Sequence, residues 1–178
     1  PRSRGLGDVY KRQLDDASLD AVLTHPVADP LAQATVWAAL WSMVRDGDLS
    51  VRAFIQAVGR LGASLREPGV YQMVMTQAAS AIGLYARVED RAQLRTELAA
   101  VLAGHLEQLE PGGDRQRAAA RVLAQLGRDD ADVARLAARV LVTDAESRAP
   151  QLQVDREIRW VVLQARASTG LADAGELD

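Results

Sequence analysis

His25 and His105 are the only imidazoles in the chain, so any zinc or general-base chemistry would have to begin with them. A thermolysin-type zinc site needs His-Glu-x-x-His on one helix, which sets two imidazoles a turn apart with a general base beside them. Neither histidine has a partner at that spacing. His105 followed by Glu107 mimics the His-x-Glu of a zinc deaminase. That enzyme also needs a Pro-Cys-x-x-Cys, and the chain has no cysteine. Without thiolates or paired histidines no closed zinc shell forms from typical ligands, so no cofactor or metal is expected here. His105 lies on an apolar helical stripe and reads as a packed structural histidine.

Other constellations fare no better. Gly59-Arg60-Leu61-Gly62 lies within or at the end of a helix and lacks the strand that precedes a phosphate-binding loop. No Gly-x-Ser-x-Gly elbow presents a serine nucleophile. The carboxylate pairs Glu89-Asp90 and Asp129-Asp130 stand where helices should start, so they read as caps that complement the helix dipole. Catalytic residues are therefore not assigned. Trp37, Trp41 and Arg45 are the candidates for lining a cavity that holds a peptide, since arginine suits carboxylate recognition. The plainer reading packs both indoles in the core. It leaves Arg45 to complement the helix dipole or to pair with Asp46 or Asp48. Arg156, Glu157 and Arg159 read as surface ion pairs.

The elements carrying these residues are helices. Asp29 is an N-cap with Pro30 at the first helical position, and Trp37, Leu40, Trp41 and Val44 follow on one face up to Gly47. Ser50 opens a second helix with Val51, Phe54, Ile55 and Val58. Glu67-Pro68 opens a third with Tyr71, Val74, Met75, Ala78, Ile82 and Tyr85. A fourth stripe is Leu94, Leu98, Val101, Leu102, His105 and Leu109, stopped by Pro111-Gly112-Gly113. Ala119, Val122, Leu123 and Leu126 form a fifth, and Val133, Leu136, Ala137, Val140 and Leu141 a sixth. A polar loop over 145–153 precedes a seventh helix from Val154 to Thr169, and Ser18 to His25 makes a short leading one. Nothing alternates with period two, so the chain is all-α. Helix pairs recur about every 40 residues, the spacing of HEAT or armadillo hairpins. Antiparallel hairpins stacked in a curved solenoid are the expected arrangement.

Composition agrees. Alanine, leucine and valine dominate while aromatics are 4%, and 48% hydrophobic residues suffice for a sizeable core in one domain. Residues 1–13 show no periodicity, and Lys11 is the only lysine in the chain. The run Ser3 to Gln13 reads as an in-frame translation of a transposase-type sequencing-library adaptor, expected to be disordered and outside the core. Setting aside Arg2, Arg4, Lys11, Arg12 and Asp8 leaves 17 basic and 23 acidic residues, net −6, over 14–178. An acidic chain without basic blocks lacks the footprint of a nucleic-acid partner or of a helix-turn-helix regulator. No polybasic amphipathic helix suggests a membrane surface, and no apolar run approaches the roughly 20 residues that span a bilayer.

Asp29-Pro30-Leu31-Ala32, Trp37 through Gly47 and Val154 through Trp160 together resemble the C-terminal helical domain of aminopeptidase N, of actinobacterial type. Leu14-Asp15, Ser18-Leu19, Arg52, Phe54, Glu67 and Thr169-Gly170 extend the resemblance over 14–178. It implies a zinc-dependent parent that removes N-terminal residues from peptides. In such enzymes a separate domain holds the zinc through His-Glu-x-x-His and a distant glutamate, and a Gly-x-Met-Glu-Asn-type loop recognises the substrate amino group. The helical domain forms a bowl over that site. The implied partners are the catalytic domain of the same parent chain and its peptide substrate. The expectation is a domain piece cut at both ends, itself without catalytic residues, from a cytoplasmic enzyme. The competing reading is a freestanding helical-repeat scaffold that binds another protein; helical stripes alone do not separate the two.

Overall fold

The computed structural model describes residues 14–141 and 155–172, and the adaptor-like segment and the whole 145–153 loop lie outside them. The described residues form eight α-helices and no strand. These are α1 (Asp16–Thr24), α2 (Pro30–Asp46), α3 (Val51–Leu61), α4 (Pro68–Leu84), α5 (Arg91–Gln108), α6 (Asp114–Leu126), α7 (Ala131–Leu141) and α8 (Arg156–Ser168). Single 3₁₀ turns follow α3 and α6 and precede α5.

Local chemistry sets most of these boundaries. The first N–H groups of a helix have no partner within it, so a short polar side chain just ahead is stabilising. Asp15, Asp29, Ser50 and Asp155 each accept from the N–H three residues on: Ser18 (2.8 Å), Ala32 (2.8 Å), Ala53 (3.1 Å) and Ile158 (2.8 Å). Pro30 and Pro68 open their helices, where the missing N–H costs nothing. Gly47 ends α2 at φ 82°, a left-handed conformation that a β-carbon would strain, and its N–H returns to Met43 and Val44.

Packing then assembles the helices. Each from α2 to α6 touches its next-but-one neighbour, so α2, α4, α6 and α8 meet in succession, as do α3, α5 and α7. The core is made mostly of leucine, valine, isoleucine and alanine, with Phe54, Tyr71 and Trp37 as its large rings. Alanine lines α6, where Ala118, Ala119, Ala120 and Ala124 are buried; small side chains let α4, α5, α7 and α8 all approach one helix.

Packing also corrects the expected faces. On α2 the buried set is Gln33, Trp37, Ala39, Leu40, Met43 and Val44, while Trp41 is only half-buried. Tyr85 falls beyond the end of α4 and is 42% exposed. Val101, Leu136 and Val140 are half-buried flanks. Trp160, on the outside of α8, is 57% exposed.

Candidate functional site

The three cavity candidates lie on α2 in order of increasing exposure. Trp37 is in the core, 4% exposed, with Phe54 edge-on to its ring at 5.7 Å and 78°. Trp41 bridges Phe54 (6.2 Å between centroids) and Tyr85 (5.8 Å, edge-on) and keeps part of its surface open. Arg45 is exposed in the last turn, where a cation complements the helix dipole. Of the three, Trp41 and Arg45 have surface to offer a ligand.

A cleft of about 370 Å³ opens beside Trp41 without including it. Its floor is Val44, Leu49, Val51 and Leu94, all core residues, and Tyr85, Arg52 and Arg87 stand around it. Arg52 reaches across to α5, where Glu97 and Gln93 accept from its guanidinium, and Arg87 is paired with Glu89. Sequence reasoning passed over this cleft because its floor residues belong to three separate stripes, whose meeting is a tertiary event.

The histidines do not converge. His25 is exposed, with Nδ1 2.8 Å from the Thr24 hydroxyl. His105 is buried in α5, its Nδ1 2.9 Å from the Tyr71 hydroxyl of α4. Burial lowers the His105 pKa from 6.5 to about 4, against a weaker opposing pull from the Gly59 and Val58 carbonyls. Nδ1 is paired with the Tyr71 hydroxyl, while Nε2 is buried without a hydrogen-bond partner among the described residues. Burial raises the Tyr71 phenol, and Arg115 on α6 opposes it. This pair is a packed polar contact, as the apolar stripe suggested.

The carboxylate pairs divide. Asp130 caps α7, accepting from Asp132 N (3.0 Å) and Val133 N (3.2 Å), and Asp129 faces Arg95 at 3.7 Å. Asp90 sits ahead of α5 but makes no side-chain cap bond, because the 3₁₀ turn Val88–Asp90 already places it in helical backbone. Glu157 reaches Arg121 of α6 at 3.0 Å, which pins α8 to α6 as a surface ion pair. Buried Gln116, which the sequence did not single out, accepts from Gly112 N (2.8 Å) and donates to Leu106 O (3.0 Å), closing the α5–α6 turn.

Among the described residues no three His, Cys, Asp or Glu side chains gather so as to hold a metal ion. His105 is sealed in the core with Nδ1 engaged and His25 is exposed beside Thr24, so these residues do not fit zinc.

A family model described as "ERAP1-like C-terminal domain" matches residues 8–178. The chain belongs to that family. An aminopeptidase N of Streptomyces lividans is 31% identical over 169 residues, 94% of this chain and 19% of the relative. The chain thus spans about a fifth of the length of the curated relative it matches. The family expected from Trp37 through Gly47 and Val154 through Trp160 is the one found, and the described residues of these runs, 37–47 and 155–160, turn out to be helix caps, core and helix surface.

Proposed function

We propose that this chain is the non-catalytic helical wall of a zinc-dependent aminopeptidase that releases N-terminal residues from peptides. The observation that carries the reading is the 31% identity to aminopeptidase N across 94% of the chain, joined to a match with a C-terminal domain family over residues 8–178. In this reading the zinc and its ligands belong to another part of the parent polypeptide. The helical domain is a bowl that encloses the site, excludes bulk water and limits which peptides enter, and these are positioning and desolvation effects. The next-but-one contacts along α2–α4–α6–α8 and α3–α5–α7 support stacked hairpins with two faces, a form suited to such a wall. Arg45, exposed at the end of α2, is the residue we assign to peptide contact. We place the parent enzyme in the cytoplasm; fractionation of cells expressing the full-length protein checks that.

Deleting the region equivalent to 14–178 from a full-length homologue tests the reading. The zinc content should stay, peptide turnover should fall, and preference by peptide length should be lost. A truncated enzyme that remains soluble with unchanged kinetics and length preference would favour a freestanding scaffold instead.

A further inference from the structure

Six large apolar side chains are exposed among the described residues, and three of them fall within five positions: Leu84 at 69%, Tyr85 at 42% and Val88 at 74%. They occupy the end of α4 and the connection to α5. A connection that faces only water is ordinarily small and polar. Beside them opens the cleft floored by Val44, Leu49, Val51 and Leu94. Its rim arginines are already matched, Arg52 by Glu97 and Arg87 by Glu89, so the cleft floor offers apolar surface, with Asp90 as the remaining charged residue of the lining. Trp41 carries the surface onward, its half-buried ring edge-on to Tyr85. Beyond it, α2 has no charged residue from Pro30 through Val44, in a chain that is 25% charged, and its outer side shows Ala38 and Leu31, the latter 77% exposed. The Arg87–Glu89 pair stands in this corner as neutralised charge, and the exposed apolar side chains around it mark a contact surface.

The length of the relative says what covers it. About four-fifths of that protein lies outside the part this chain matches. We propose that the Leu84–Val88 corner, with Trp41 and the outer side of α2, is where the rest of the parent polypeptide docks. The docking segment sets an apolar side chain, of leucine or phenylalanine size, into the cleft of about 370 Å³. Charged residues are depleted from the cores of such joints, and a filled pocket at the centre carries most of the energy. The inference rests on the reading of this chain as one domain of a longer enzyme.

Hydroxyl-radical footprinting of the full-length parent and of this chain alone tests it. Leu84, Tyr85 and Val88 should oxidise roughly tenfold less in the parent, the change expected when side chains pass from solvent to an interface core. Equal oxidation in the two proteins overturns the proposal. Protection that grows with the concentration of the chain alone would assign the edge to a second copy, and protection that needs added peptide would assign it to substrate; both overturn it. As a second measurement, Leu84→Glu with Val88→Glu should leave the melting of the chain alone unchanged, because both side chains are exposed. The same pair in the parent should speed proteolytic release of the domain, and a parent as resistant as before counts against the docking edge. Failure here is distinct from failure of the enzyme reading. Deletion that abolishes peptide turnover while Leu84–Val88 stay fully labelled would sink the docking edge alone.

Discussion

His105 gives this domain a built-in acid sensitivity that can be worked out in advance. Its ring is neutral in the fold because burial lowers its pKa from 6.5 to about 4, whereas in the unfolded chain it titrates near 6.5. Between those values the unfolded state binds a proton that the folded state refuses. Stability from this group is therefore complete above pH 6.5 and lost as pH falls toward 4. At pH 5 the loss is about 2 kcal/mol, rising to about 3 kcal/mol below pH 4. That is a large share of the roughly 5–15 kcal/mol that holds a typical domain together. Urea unfolding of the wild type and of His105→Gln at pH 7 and pH 5 isolates the effect. Gln keeps an acceptor for the Tyr71 hydroxyl but cannot titrate, and carboxylate contributions shared by the two chains cancel in the difference. The variant should start less stable at pH 7 and lose about 2 kcal/mol less than the wild type on acidification. Proton NMR of the wild type supplies an independent reading: the His105 ring signal should show no titration step between pH 7 and pH 5. A step near pH 6.5 in the folded protein, or equal acid losses in both chains, would refute the argument.

Other outcomes follow from the packing. Gln116→Leu keeps volume but strips the part-buried Gly112 N–H and the buried Leu106 carbonyl of their partner, and urea unfolding should show a loss of about 2 kcal/mol. Gly127→Ala would set a β-carbon 2.9 Å from the Ala134 Cα and 3.2 Å from the Ala165 Cβ, where α7 and α8 close on the turn after α6. Backbone there cannot yield cheaply, so the melting temperature should drop by an amount equivalent to about 1–3 kcal/mol. Asp155→Ala removes the cap of α8 and should cost about 1 kcal/mol, with hydrogen exchange rising first at Ile158. The chain by itself should hold no stoichiometric zinc after dialysis and should not hydrolyse aminoacyl-anilides; metal analysis and a chromogenic assay check both.

Residue chemistry alone settled a good deal about this protein. Helices α2 and α3 begin where expected because Asp29 and Ser50 cap their own first turns, and α2 ends at Gly47 because the left-handed turn is a local property; α8 starts at Arg156 rather than Val154 because Asp155 is its cap. The all-α class followed from period-3.6 stripes, and the family from strings of residues that largely cap and fill those helices. Every residue expected on the stripes of α3 and α6 is buried, Val51, Phe54, Ile55 and Val58 on one and Ala119, Val122, Leu123 and Leu126 on the other, though each helix buries further residues that the stripes left out. Only the tertiary structure decided the flanks. A stripe marks which residues could be buried, but the width of the buried arc depends on how many helices surround it. α6 touches four other helices and buries even Gln116, whereas α2 lies against fewer and leaves Trp41 half open. Tyr85 and Trp160 look equally apolar in sequence and are exposed because no described element lies over them. The Tyr71–His105 contact joins residues 34 apart in the chain, and the cleft floor joins α2, α3 and α5. Such meetings depend on helix crossings, which no local spacing encodes.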